Sequence, residues 1–192
     1  GPRNDSSNWK IVNFDTDSEV PEDNSDWNES KLKKYIADLV DNSIDANSSF
    51  INIDIDIVDN SIKIIDNGIG MSYNEVIEAL RLGSDSKKNE SELGKFGFGL
   101  KSASFSQCNL ITVTSKKEET REITFDVSKS IQENTWIAYE STENFLLLNS
   151  FETGTVVQWN ELYRLGKSNE EITDALKNIF INLDEFLGSV FC

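Results

Sequence analysis

The chain has 192 residues, enough for one domain with a buried core, and its apolar content of 38% is ordinary for a globular protein. Its formal net charge of −16 argues against direct binding of nucleic acid, because phosphate contacts need a local excess of lysine and arginine. No apolar run approaches the roughly 20 residues that cross a membrane. Histidine is absent, so any acid–base chemistry falls to Asp, Glu, Lys or Tyr.

Two cysteines, Cys108 and Cys192, predict no disulfide framework, and this favours a reducing, cytoplasmic setting. Residues 1–25 begin with Gly-Pro, which resembles the scar of tag removal, and continue as a polar, acidic arm. The expected organisation is therefore a tag remnant and acidic N-terminal arm over 1–25. One domain, excised from a longer protein, is expected over 26–192.

The first predicted helix contains the stretch Tyr35–Ala46 and opens at Asp26 and Glu29, which resemble a capping box. At about 100° per residue, one side of it is mostly apolar and can pack on a sheet. That side carries Leu32, Ile36, Leu39, Val40, Ser43 and Ile44.

A polar stripe lies on the opposite side of this helix. Asp38, Asn42 and Asp45 share it, since their spacings of four and three residues return to one face. In an isolated helix such a stripe is more often solvated surface than a binding site.

The rest of the chain reads mainly as sheet. Alternation predicts a strand over Phe50–Val58, and the return strand Ser61–Ile65 completes a hairpin. A short helix is predicted over Ser72–Leu82, with Ser72 as its N-cap. Further strands are predicted at Asn109–Ser115, Arg121–Val127, Trp136–Tyr139 and Gly154–Trp159, a helix at Asn169–Leu187, and either strand or helix at Phe145–Leu148.

Two glycine-rich segments stand out. Asp66–Met71 (DNGIGM) places a carboxylate at a strand end beside backbone that can bend tightly, although a simple turn has the same pattern. Gly94–Lys101 (GKFGFGLK) has three glycines that run into a predicted helix, which suits a phosphate cradle. The dinucleotide-binding and P-loop patterns do not fit, because a loop precedes the glycines and no Gly-Lys-Ser/Thr follows.

Four stretches together resemble the boxes of the GHKL ATPases, which include gyrase, heat-shock chaperones, MutL-type repair proteins and histidine kinases. They are DLVDN (38–42), DNGIGM (66–71), GKFGFGLK (94–101) and GT (154–155). Within that superfamily the chain is most similar to MORC-type and related prokaryotic ATPases. The resemblance implies an α+β two-layer sandwich, the Bergerat fold. Its mixed β-sheet would carry helices on one face and a mobile ATP lid over 83–93.

The resemblance also implies ATP and Mg²⁺ as cofactors. Asn42 would ligate Mg²⁺, Asp66 would accept a hydrogen bond from the adenine amino group, and Lys101 would hold the terminal phosphate and act in catalysis. Thr155 would support Asp66 and the base, and Met71 would pack on the adenine. The implied nucleotide-binding set is Asn42, Asp45, Asp66, Gly68, Gly70, Met71, Gly94, Phe96, Gly97, Phe98, Gly99, Leu100, Lys101 and Thr155.

The expected function is Mg²⁺-dependent ATP binding and slow hydrolysis, acting as a switch for homodimerisation in a longer protein. One departure bears on hydrolysis, because the family's general base is usually Glu and this chain has Asp38, which is one methylene shorter. Two alternatives remain open. One is an ATP- or ADP-binding module without hydrolysis, and the other is a phosphotransferase of the histidine-kinase type.

Overall fold

A computed structural model of the chain describes residues 10–12, 28–81, 108–162 and 168–182. These residues form strands, α-helices and one 3-10 helix. The strands are β1 (Lys10–Val12), β2 (Ile51–Asp56), β3 (Ser61–Asp66), β4 (Leu110–Lys116), β5 (Thr120–Asp126), β6 (Ala138–Glu140) and β7 (Gly154–Asn160). The α-helices are α1 (Glu29–Asp45), α2 (Tyr73–Arg81), α3 (Val127–Glu133) and α4 (Asn169–Ile181), and the 3-10 helix is Phe145–Leu148.

One seven-stranded sheet holds the described strands in the order β1-β6-β5-β4-β7-β3-β2. Every pairing among them is antiparallel, and so the α+β class is confirmed while the expected mixed sheet is not seen in this part of the chain. The reason is local, because β2–β3 and β4–β5 are joined by short turns, and short turns make antiparallel neighbours.

The main core lies between one face of the sheet and three helices. Buried side chains of α1, α2 and α4 form one cluster with those of the central strands. Because side chains alternate along a strand, the opposite face differs. It carries a smaller apolar cluster of Ile65, Leu148 and Val156 and a row of buried polar groups. Trp136, Trp159 and Cys108 are buried in the main core.

Helix α1 differs from the prediction at both ends. Its N-cap is Asn28, whose side chain accepts a hydrogen bond from Lys31 N at 2.8 Å, so the capping box at Asp26 and Glu29 is wrong. Ile44 was assigned to the packed side but is 38% exposed, because it lies at the margin of the apolar stripe in the last turn. The other five members of the apolar side are buried as predicted.

Most other elements match within one to three residues. The capping box of α2 is confirmed, since Ser72 N donates to Glu75 Oε1 and Glu75 N donates to Ser72 Oγ. Three predictions need correction. The strand predicted at Phe50–Val58 ends at Asp56, the one predicted at Trp136–Tyr139 is Ala138–Glu140, and the helix predicted at Asn169–Leu187 ends at Ile181, with Asn182 as its C-cap. The segment Phe145–Leu148, left open between strand and helix, is a 3-10 helix.

Two elements were missed by the sequence patterns. Helix α3 follows β5 directly, with Asp126 as its N-cap, and the strand predicted at Arg121–Val127 included only its first residue. Strand β1 lies inside the segment interpreted as an acidic arm and pairs with β6. The lid over 83–93 and the segment Gly94–Lys101 lie outside the described residues. In the part of the chain that is described, no helix combines the length and apolar character needed to cross a membrane.

Gly70 is required by the backbone that follows β3. Its φ is +72°, and a β-carbon there would lie 2.1 Å from the carbonyl oxygen of Lys116. We therefore expect Gly70→Ala to lower the free energy of unfolding by roughly 2–4 kcal/mol through strain and overlap. Thermal denaturation measures this, with Ile69→Ala as the control because that neighbour is 44% exposed. Equal melting temperatures for both variants would contradict the requirement.

Candidate nucleotide-binding site

Asp66 ends β3 and is the centre of the site. Its side chain is buried, 3% exposed, and accepts two hydrogen bonds. Ser43 Oγ on α1 donates to Oδ2 at 2.6 Å, and Gly68 N donates to Oδ1 at 2.9 Å. An ionised carboxylate has about four acceptor positions, so Asp66 retains the capacity to accept from a bound ligand.

The pKa of Asp66 lies above the ordinary aspartate value. Burial is the largest cause. It is offset in part by donors on the Ser43 side chain, the Gly68 backbone, the Ser48 side chain and the Thr155 backbone, which all favour the ionised form. These hydrogen bonds stabilise the ionised, accepting form of Asp66, and burial opposes it.

Ser48 lies beside this carboxylate. Its hydroxyl contributes to lowering the Asp66 pKa but makes no hydrogen bond of normal geometry, and it is the one buried side-chain polar atom without a partner in the described ranges. A β-carbon at Gly68 would approach Ser48 Oγ to 2.8 Å, so the glycine keeps this space open. An unpaired buried hydroxyl next to a carboxylate with spare acceptor capacity suits a polar ligand.

A row of polar side chains continues from Asp66 across the sheet. Asp66 is opposite Thr155 on β7, and Thr155 is opposite Ser115 on β4. Ser115 Oγ lies 2.7 Å from Thr155 Oγ1 and accepts a hydrogen bond from Met71 N at 2.7 Å. Strand register thus joins the DNGIGM segment to the Gly-Thr pair, although their nearest ends, Met71 and Gly154, are 83 positions apart in the sequence.

The polar stripe lies on α1, the helix that also supplies Ser43 to Asp66. Asp38 and Asn42 are half-buried, whereas Asp45 is exposed. Burial raises the pKa of Asp38, which Lys34 lowers and Asp41 raises further. A raised pKa improves a carboxylate as a proton acceptor near neutral pH.

Met71 and Gly70 both make close contacts within the protein itself. Met71 is 2% exposed and belongs to the main core, while its backbone N–H is held by Ser115. Gly70 meets the carbonyl of Lys116, which explains the glycine through packing within the protein. The contacts of both residues with adenine stay predictions.

The phosphate-binding half of the predicted site is Gly94, Phe96, Gly97, Phe98, Gly99, Leu100 and Lys101, and it lies outside the described residues. The structure therefore brings together Asp66, Gly68, Gly70, Met71 and Thr155 around one end of β3 and β7.

No cluster of three acidic or cysteine side chains that suits a metal occurs in the described ranges. Mg²⁺ often takes only one or two protein ligands beside phosphates and waters, so Asn42 alone is compatible with it.

Sequence reasoning missed three serines of this site. Ser43 was assigned to packing, yet it donates to Asp66, and a lone serine within an apolar stripe was the available signal. Ser115 ends a predicted strand and gave no signal, because its partners Met71 and Thr155 are distant in sequence. Ser48 follows the end of α1 and lies outside all four motifs.

The raised pKa of Asp66 has a consequence for stability. A carboxyl whose pKa is higher in the folded chain than in the unfolded chain destabilises the fold at neutral pH, and this cost disappears as the pH falls through its folded pKa. We expect Asp66→Asn to unfold at a higher temperature than the wild type at pH 7. The difference should shrink below that pKa, as measured by thermal denaturation across pH. A difference that grows on acidification would contradict the assignment.

The chain is similar in sequence to known ATPases. A family model described as histidine kinase-, DNA gyrase B-, and HSP90-like ATPase matches residues 30–155. The protein "ATPase morc-1" of Caenorhabditis elegans is 34% identical over 85 residues, which are 43% of this chain and 10% of that protein. "ATPase MORC2B" of Mus musculus is 31% identical over 97 residues, 47% of this chain and 10% of that protein. The chain spans only that small part of these relatives.

The resemblance inferred from the four motifs is thereby confirmed. The family match covers more than half of the chain and includes all of DLVDN, DNGIGM and GKFGFGLK. It also ends at Thr155, the residue that pairs with Asp66 across β3 and β7. The chain belongs to the histidine kinase-, DNA gyrase B- and HSP90-like ATPase family.

Proposed function

We propose that this chain binds ATP with Mg²⁺, hydrolyses it slowly and serves as a conformational switch in a longer protein. The observation that carries the proposal is the buried Asp66 carboxylate, which is held by Ser43 and Gly68 and still has acceptor capacity. A group that only accepts selects the adenine amino group over the guanine carbonyl.

Asn42 is the residue that would hold Mg²⁺, through its amide oxygen. It is half-buried on α1, one residue before Ser43, so the metal ligand and the support of Asp66 lie on one helical turn. A bound Mg²⁺ would supply charge neutralisation for the triphosphate. Gly94–Lys101 would complete the phosphate site, with Lys101 on the terminal phosphate, and Asp45 would orient the polar side of α1.

Asp38 is the proposed general base. It lies one helical turn before Asn42, and its raised pKa suits the acceptance of a proton from an attacking water. The shorter side chain favours slow turnover, because a displacement of about 1 Å can cost roughly a hundredfold in rate.

A second candidate is an ATP- or ADP-binding module that does not hydrolyse. The specific observation in its favour is the aspartate at position 38 in place of the family's usual glutamate. A phosphotransferase of the histidine-kinase type is disfavoured because the chain has no histidine to accept phosphate. Phosphate release in a single-turnover assay with excess protein separates the first two, and label retained on the protein from γ-labelled ATP would indicate the third.

The switch itself is tested by assembly. We propose that ATP promotes a homodimer of the longer protein in a cytoplasmic setting. Sedimentation of that protein with ATP, ADP and no nucleotide should show a dimer with ATP alone. The same sedimentation behaviour in all three conditions would contradict a dimerisation switch.

A further inference from the structure

We propose that Ser115 is a positioning residue for base recognition, because it controls whether the Thr155 hydroxyl offers a proton to the base. This inference rests on the proposed function, since it needs adenine at Asp66. Ser115 was not among the residues that the sequence motifs indicated. It lies on β4, outside all four motifs, and its side chain is fully buried.

Three groups surround the Ser115 hydroxyl. Met71 N donates to it at 2.7 Å, the carbonyl oxygen of Gly154 lies 3.1 Å away as an acceptor, and Thr155 Oγ1 lies at 2.7 Å as either donor or acceptor. These groups come from the segment after β3 and from the start of β7. Ser115 therefore connects the two chain segments that carry the predicted base contacts.

A count of protons gives two arrangements, because a serine hydroxyl has one proton. If Ser115 donates to Gly154, then Thr155 must donate to Ser115 and presents only lone pairs to a ligand. If Ser115 donates to Thr155, the Thr155 proton is available to a ligand. The two arrangements differ only by rotation of the two hydroxyl groups.

Adenine needs the second arrangement. Its amino group is a donor, and the ring nitrogens on either side of that group are acceptors. Asp66 and Thr155 are directly opposite in register, so an accepting carboxylate and a hydroxyl lie side by side. When Asp66 accepts from the amino group, Thr155 must donate to a ring nitrogen, and donation from Ser115 to Thr155 fixes the hydroxyl in that orientation. Hydrogen bonds in such a chain also strengthen one another.

The test measures the binding of ATP, 1-deaza-ATP and 7-deaza-ATP by calorimetry, since each analogue lacks one ring nitrogen beside the amino group. In the wild type we expect one analogue to bind about 10-fold more weakly than ATP. In Ser115→Ala, ATP itself should bind about 10-fold more weakly than to the wild type. The penalty for that analogue, meaning its loss of affinity relative to ATP in the same protein, should fall to roughly twofold or less. Ser115→Thr keeps the hydroxyl and should restore the wild-type pattern.

Thr112→Val is the matched control. It removes a buried hydroxyl from the same strand, whose partner is Thr124 Oγ1 at 2.8 Å, and it should leave the penalty unchanged. A wild-type penalty retained in Ser115→Ala would overturn the inference. Equal binding of all three nucleotides by the wild type would overturn it without any variant, so the test does not depend on the folding of Ser115→Ala. Failure of the wild type to bind ATP at all would instead reject the proposed function.

Discussion

Asp66→Asn should weaken ATP binding by about 100-fold while leaving the chain folded. The asparagine oxygen can still accept from Gly68 N, and its amide nitrogen can donate to Ser43 Oγ. Both contacts of this side chain are therefore kept, although donor and acceptor are exchanged in the contact with Ser43. The position that should accept from the adenine amino group becomes partly a donor. The protein thus retains its local packing and loses its selection for adenine.

The same substitution should change the preference between bases. An amide can donate to the guanine carbonyl, so the ratio of GTP to ATP affinity should rise in Asp66→Asn. Asp59→Asn is the matched control, since this exposed aspartate lies in the turn at the opposite end of the β2–β3 hairpin. Calorimetric affinities for both nucleotides measure the effect. An unchanged ratio would show that Asp66 does not read the base.

Asp38→Asn should reduce single-turnover hydrolysis by about 100- to 10,000-fold and change ATP affinity by no more than about threefold. The amide cannot accept a proton from water, whereas the charge and ligands that bind the nucleotide lie elsewhere. In the wild type, turnover should rise with pH through the raised pKa of Asp38, because the ionised carboxylate is the active form.

Asp41→Asn is the control for this position. Asp41 is exposed on α1 and raises the pKa of Asp38, so its neutralisation should shift the pH profile slightly towards lower pH without loss of the maximum rate. Rapid quench of γ-labelled ATP measures both variants. Full turnover in Asp38→Asn would remove this residue from the reaction and leave the binding module as the better description.

The residues that sequence reasoning found are those defined by local pattern. Asp66 follows a strand and precedes two glycines, and Asn42 lies on a polar stripe, so both were visible within a few positions. The strands with alternating apolar and polar residues, and the helices with an apolar stripe, were predicted well for the same reason. The resemblance to the family's motifs then indicated that these residues belong to one site.

The residues that it missed act through contacts between distant segments. Ser43 meets Asp66 only when α1 packs on β3, across 23 positions of sequence. Ser115 meets Thr155 across 40 positions through strand register, and it meets the backbone of Met71, in the segment after β3, across 44 positions. Helix α3 was missed because it is short and begins directly after β5. The alternating pattern of that strand extends over Asp126, which is the N-cap of the helix.

The central proposal is adenine-selective binding that depends on Mg²⁺, and calorimetric titration of this chain with ATP and GTP, each with and without Mg²⁺, tests it most directly. We expect saturable binding of ATP that is tighter with Mg²⁺ and at least about 10-fold tighter than binding of GTP. Equal affinity for the two nucleotides, or no binding of either, would contradict the site built around Asp66.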